Sequence, residues 1–278
     1  MLKQYEAYLK AEHRSQRTID SYLDTCAKMM NYISKKVSDI TYSDLMEWKG
    51  TLANLSPSSV NQKTAAVKNF FSWCQSMGYT ESNPAADMKR LRANPKESIY
   101  IGAEEIEAFL GACRSIRDKA MLTVMVKTGV RQHELASLTI YEYFKMRNEG
   151  SNFLVIVGKG NKERKIYFSD EVMDLVDEYV IWRNNHAVNS DRLFLTFAGL
   201  PLNDSGMNRV IKNTAKRAGL ANAEEYTCHS LRRAFATIKS NNNVPIAIIS
   251  KALGHSNIAT TTRYIKTNDE LIEAAMTM

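Results

Sequence analysis

Over roughly the first ninety residues, apolar side chains recur at helical intervals. LKQYEAYLKAE places Leu2, Tyr5, Tyr8 and Leu9 on one face. SQRTIDSYLDTCAKMMNYISKK repeats the pattern through Ile19, Tyr22, Leu23, Cys26, Met29, Met30 and Ile33. TYSDLMEWKGTLA offers Thr41 or Ser43 as an N-cap ahead of Leu45, Met46 and Trp48. In SPSSVNQKTAAVKNFFSWCQSMGY, Ser56-Pro57 suits a first helical turn and Gly78 a C-terminal stop. Four helices of this size predict a small bundle.

The next stretch, NPAADMKRLRANPKES, breaks the pattern. Pro84 and Pro95 flank Lys89, Arg90 and Arg92. Prolines with charge predict a linker over 89–98, either a solvated connector or a basic strap on phosphates. Beyond it the patterning is mixed. GAEEIEAFLGACRS and RDKAMLTVMVKTG are helical in period. NFLVIVGKGNKERKIYF is not: Phe153 to Val157 is β-rich, Gly158-Lys159-Gly160-Asn161 is turn chemistry, and KIYF is a second strand. That predicts a β-hairpin with a cationic tip. Helical patterns resume in SDEVMDLVDEYVIWRNN, NDSGMNRVIKNTAKRAG, HSLRRAFATIKSNN, VPIAIISKALG and NDELIEAAMTM. The fold class is therefore mainly α with one small β-hairpin. The domains are a helical bundle over 1–88, a basic linker over 89–98, and a mixed domain over 99–278.

Composition adds little to this fold but bears on partners. The chain has 278 residues, 44% of them hydrophobic, so it can build a packed core. Its formal charge of +7 favours an anionic partner such as nucleic acid. The four cysteines, Cys26, Cys74, Cys113 and Cys228, are scattered without a CxxC pair. That argues against a zinc site and a disulfide framework, and fits a reducing compartment. The N-terminus is charged and amphipathic, unlike a signal peptide. No apolar run reaches the roughly 18 residues of a membrane span. A cytoplasmic or nucleoid-associated protein is expected.

The candidate chemistry is cationic. Arg131 follows KTGV at the end of an apolar helix, and Lys159 tips the hairpin. His229 and Arg232, three apart in CHSLRRAF, share a helical face. His255 follows Gly254, which ends a helix. Two guanidiniums, an ammonium and two imidazoles are an inventory for binding a phosphate and stabilising charge on it. No carboxylate cluster for Mg²⁺ and no GxxxxGK[ST] loop accompany them. Metal-free phosphoryl transfer would call for a covalent nucleophile instead. Tyr264 lies nine residues after His255, beside Arg263. At about 100° per residue, one continuous helix would put the two on opposite faces, so a shared site demands a bend between them.

TGVRQHEL, VGKGNKERKI, HSLRRAFAT, LGHSN and TTTRYI occur in the order and contexts of the tyrosine recombinase (phage integrase) family. The chain resembles its compact Xer-type and transposon-type members over nearly its whole length. RTIDSYLDTCAKMMNYI and SSVNQKTAAVKNFFSWCQSMGYTESNPA are similar to the family's N-terminal core-binding, SAM-like domain. The resemblance implies a two-domain DNA clamp whose second domain is catalytic. It implies Tyr264 as the nucleophile that forms a 3′-phosphotyrosyl link. Arg131 and Arg232 would hold the non-bridging oxygens, and Lys159 would protonate the 5′-oxygen. His229 would assist the tyrosine or orient the phosphate, His255 would donate to a phosphate oxygen, and Glu134 would buttress the site. Lys162 and Lys165 are near in sequence; the GKG context selects Lys159. No metal and no ATP would be needed.

The same resemblance makes the helix bearing Lys63 and Lys68 a candidate major-groove element, with Lys89, Arg90 and Arg92 on the backbone. The tail carries an apolar stripe of Leu271, Ile272, Ala275 and Met276. It packs on its own domain or, as the family implies, docks into a neighbour as an exchange helix. The expected partners are double-stranded recombination sites and copies of the chain itself: a dimer on one site, a tetramer in synapsis, and possible accessory or partner recombinases. With no extra arm-binding domain ahead of Met1, simple core sites are expected. Three features depart from the family pattern: Arg233 where a second histidine is frequent, TIYEYF without an acidic turn residue, and Gln62 where a basic residue is common. The competing readings are a catalytically silent DNA-binding regulator and a type IB topoisomerase-like enzyme. Integration or excision of an element and resolution of replicon dimers both remain compatible with the sequence.

Overall fold

The computed structural model describes residues 1–92, 99–158, 163–186, 190–255, 257 and 259–262, with only the backbone at 259 and 260. The chain divides into two compact units, Met1–Lys96 and Glu97–Met278.

Among its described residues the first unit has four α-helices: α1 (Leu2–Ala11), α2 (Gln16–Ile33), α3 (Tyr42–Gly50) and α4 (Pro57–Ser76). Their starts follow from side-chain capping, which satisfies orphan backbone amides. The Ser15 hydroxyl accepts from the Thr18 amide, and Ser56 caps α4 with Pro57 in its first turn. Thr41, not Ser43, caps α3, in a reciprocal box with Asp44. The core is aromatic. Tyr5 meets Phe70 edge-on at 5.1 Å and donates its hydroxyl proton to Asn69 Oδ1 at 2.6 Å.

Helix α4 buries Val60, Thr64, Val67, Phe70, Phe71 and Cys74. Its solvent face runs Ser58, Gln62, Ala65 and Ser72, without a charge. Lys63 and Lys68 are half-buried on its flanks, about 140° apart around the helix. Lys68 Nζ turns toward the Met88 carbonyl at 3.4 Å. The basic segment is stapled to this unit. Asn61 donates to the Leu91 carbonyl at 2.9 Å and accepts from its amide at 2.7 Å, while Lys49 Nζ donates to the Lys89 carbonyl at 2.6 Å. Lys89, Arg90 and Arg92 stay exposed. The first unit thus extends past residue 88, and the stretch read as a basic linker, solvated or strapped over phosphates, begins as a segment held on α3 and α4.

The second unit is built around α6 (Ile116–Thr128), with Met121, Leu122, Val124 and Met125 buried. Ahead of it stands α5 (Ile106–Gly111); after it come α7 (Gln132–Ser137) and α8 (Ile140–Asn148). Strands β1 (Phe153–Val157) and β2 (Glu163–Tyr167) pair antiparallel, with Ile156 opposite Arg164 and Val157 opposite Glu163. Then follow α9 (Asp170–Asn184), α10 (Asp204–Arg217), α11 (Cys228–Asn241), α12 (Ile246–Leu253) and the short α13 (Ala259–Thr262). Helix α6 packs on both α9 and α11.

Helices α7 and α8 are additions to the sequence reading. Both are short, and the aromatic run TIYEYF hides a helical period. Thr139 nonetheless caps α8, in a box with Glu142. Strand β2 also starts two residues earlier than KIYF, because Glu163 and Arg164 find partners on β1. The predicted exchange helix lies outside the described residues. Among those described, no helix is long and apolar enough to cross a membrane.

Candidate active site

Two chain breaks create the site. Helix α6 ends at Gly129, which is left-handed at φ 62°. A Cβ there would come within 2.6 Å of Phe235 and 2.7 Å of Leu253, so both the conformation and the packing ask for glycine. The chain then turns into Arg131 at the start of α7. Helix α12 ends at Gly254, also left-handed at φ 65°. The Gly254 amide donates to Lys251 O and the His255 amide to Ser250 O, each at 3.0 Å, which closes the helix end. A new helix, α13, starts at Ala259. Helices α12 and α13 are therefore separate, with His255 just past the end of the first.

The last carbonyls of a helix lack intrahelical donors and carry its negative dipole end. At α12 three consecutive ones accept from arginines. Arg164 Nε donates to Ala252 O at 3.0 Å, Arg232 Nη2 to Leu253 O, and Arg131 Nη2 to Gly254 O at 2.9 Å. These arginines come from β2, α11 and the α6–α7 turn. Arg232 is 2% exposed and also donates to Gly129 O at 2.6 Å. A helix end that would otherwise attract single cations thus gathers three.

Glu134 sits beneath this cluster, 1% exposed. Its Oε1 accepts from Arg131 Nη1 at 2.8 Å and Arg164 Nη1 at 2.7 Å. Its Oε2 accepts from the Arg131 amide at 2.7 Å and Arg164 Nη2 at 2.8 Å. Burial alone would raise its pKa. The Arg164 hydrogen bonds, the Arg131 amide and the Arg164 charge outweigh that and hold it at about 2.

His255 is half-buried beside Arg232. Its Nε2 lies 3.1 Å from Arg232 Nη2, and its Nδ1 2.8 Å from Thr261 Oγ1 on α13. A guanidinium can only donate, so Nε2 accepts, and the Nδ1 proton goes to Thr261. Desolvation, then the charges of Arg232, Arg131 and Arg164, bring His255 down to about 4. His229, at the exposed start of α11, is lowered in the same sense by desolvation on its protein side and by Arg232, Arg233 and Arg131. The imidazoles are therefore neutral at pH 7 and the guanidiniums carry the charge.

The structure brings together Arg131, Glu134, His229, Arg232 and His255. Lys159, Lys162 and Tyr264 lie outside the described residues. Lys165 faces away from Arg164 on β2, with Nζ 3.8 Å from the Phe153 ring centroid. Sequence reasoning passed over Arg164 and Thr261. For Arg164 a signal existed: it shares strand parity with buried Ile166, so it points inward with it. Among the described residues, no group of three His, Cys, Asp or Glu side chains could hold a metal ion.

Comparison with known proteins matches residues 100–270 to the phage integrase family and residues 1–81 to the phage integrase N-terminal SAM-like domain. The chain belongs to the phage integrase family. Its relatives include the tyrosine recombinase XerC of Leptospira interrogans, 27% identical over 98% of this chain and 90% of that protein. XerC of Staphylococcus saprophyticus is 28% identical over 98% and 95%. Two solved structures share the fold. XerH bound to palindromic difH substrate in a post-cleavage complex has a TM-score of 0.76 at 22% identity, over 100% of this chain and 84% of that one. A lambda integrase dimer bound to a COC′ core site has a TM-score of 0.75 at 16% identity, over 95% and 94%. As an integrase-family chain it combines an N-terminal helical domain with a mainly helical domain bearing a two-stranded sheet.

Proposed function

We propose that this protein is a site-specific DNA recombinase that cuts and rejoins duplex DNA through a covalent bond between Tyr264 and a 3′-phosphate. The observation that carries this reading is the convergence of Arg131, Arg232 and His255, from three separate stretches of the chain, at one helix end, with His229 near enough to be lowered by the same two arginines. A family that acts on DNA needs such a cluster where a phosphodiester must accept added charge.

The Tyr264 oxygen attacks phosphorus and the bond to the 5′-oxygen breaks. Lys159 delivers a proton to that leaving oxygen, and His229 assists removal of the phenol proton. A free phenol has a pKa around 10, so this help matters at neutral pH. Arg131 and Arg232 hold the two non-bridging oxygens, whose charge grows in the pentacoordinate transition state. A bound phosphate offsets the cations that lower His255, so its affinity for a proton rises and Nε2–H becomes a donor. The phosphotyrosine keeps the energy of the broken bond. A 5′-hydroxyl can therefore reverse the attack without ATP, and no step calls for a metal.

The partners are duplex recombination sites and further copies of the chain, a dimer on each site and a tetramer when two sites meet. Helix α4, with Lys63 and Lys68, would enter the major groove, and Lys89, Arg90 and Arg92 on the 89–92 strap would contact the DNA backbone, with the catalytic domain following. The tail would pass to a neighbour. The protein would work on the DNA of the cytoplasm or nucleoid.

Tyr264→Phe tests this directly. Incubated with a nicked suicide substrate, the wild type forms a protein–DNA adduct that survives a denaturing gel. The Phe variant binds the site but forms none. An adduct persisting in the variant sinks the nucleophile. No adduct from wild type points to a silent DNA-binding regulator, and relaxation of one plasmid without exchange between two sites points to a topoisomerase.

A further inference from the structure

We propose that Arg164 is the positioning residue that lets Arg131 act on a phosphate as a full positive charge. This deepens the recombinase reading and rests on it.

Arg131 is the cluster's most open arginine, its side chain 21% exposed, against 9% for Arg164. It is also tied to Glu134, at 2.8 Å. A guanidinium paired alone with a buried carboxylate is a neutral unit. It attracts an incoming anion weakly, and its fork is turned inward. Arg164 changes that balance. Both of its terminal nitrogens engage the two Glu134 oxygens, a fork-to-fork pair at 2.7 and 2.8 Å. Two guanidiniums against one carboxylate leave one net positive charge, and the exposed partner presents it.

The third donor of Arg164, Nε, fixes the Ala252 carbonyl at 3.0 Å. One side chain therefore joins the hairpin strand, the acid under Arg131 and the end of α12. Its stem lies close against Gly254: a Cβ there would meet Arg164 Cδ at 2.8 Å. The next two carbonyls along, of Leu253 and Gly254, receive Arg232 and Arg131. Arg164 sets the level at which the other two arginines sit, without needing to touch DNA. Lysine replaces its charge but not its geometry, because an ammonium has neither the planar fork nor the fixed Nε.

The test uses the full chain and a nicked suicide substrate, with adduct formation rate and site affinity measured separately. Arg164→Ala is expected to slow adduct formation about a hundredfold while affinity stays within about threefold, as for a misplaced but intact site. Arg164→Lys should recover part of the rate. The decisive variant is Arg164→Ala combined with Glu134→Gln. If Arg164 works by balancing Glu134, removing the carboxylate charge as well should restore roughly tenfold of the lost rate. A plain structural prop predicts the opposite, losses that accumulate, and a double variant no faster than Arg164→Ala overturns the proposal. Should Arg164→Ala not fold, Arg164→Gln alone and with Glu134→Gln gives the same comparison. Wild-type adduct with an indifferent Arg164→Ala overturns this inference alone; no wild-type adduct overturns the recombinase reading with it.

Discussion

The chain carries two sets of cations that differ in how they are held. At the end of α12, Arg131, Arg164 and Arg232 each donate to a named carbonyl, and Arg232 is buried. On the first unit, Lys89, Arg90 and Arg92 stand exposed on a segment that is held by its backbone, not by their side chains. The contrast matches the two tasks proposed for them. Stabilising a transition state requires donors fixed beforehand at defined distances. Holding a duplex requires net charge near phosphates, which works through counterion release and tolerates mobile side chains.

The sharpest way to break this comparison is Arg232→Ala. Cleavage should fall by about 10²–10³-fold, the scale for losing one fixed donor to developing charge. Site affinity in a gel shift should move little. Equal losses in both would make Arg232 a structural residue. Gly254→Ala should have a smaller effect. It forces a side chain into the left-handed region at a cost of about 1–2 kcal/mol, and pushes on Arg164. A lower thermal midpoint with cleavage reduced about tenfold is expected. Replacing Lys89, Arg90 and Arg92 together by Ala should have the mildest effect on chemistry. Affinity weakens across sequences, and the slope of log K against log salt flattens by at most roughly three. Cleavage at saturating DNA should hardly change, and a large drop there would erase the distinction.

Much of this was legible in the sequence, for identifiable reasons. The bundle helices announce themselves because apolar spacing and caps agree: Ser15, Thr41 and Ser56 all sit where helices start. Gly129 and Gly254 mark helix ends that aim Arg131 and His255. What sequence hides is the acceptor side. Any residue has a carbonyl, so nothing in ISKALGH says that Ala252, Leu253 and Gly254 will take three guanidiniums. Arg164 was missed because it stands among Lys162, Glu163 and Lys165, where it reads as one more charge of a hairpin tip. The strap was read as a linker because prolines and charge dominate it, while its anchor, Asn61, lies thirty residues earlier on α4.

Gathering three guanidiniums on one helix end also makes their loss collective. The acceptors are successive residues of a single turn, closed by the amides of Gly254 and His255. If that turn frays, all three side chains lose a partner in the same event. Such local openings cost less than global unfolding and occur within the native ensemble. The site therefore behaves as one cooperative unit inside a larger domain, and warming would silence it as a whole before the core around α6 melts. Protection of the His255 amide against hydrogen exchange is a single-atom gauge of how often that happens.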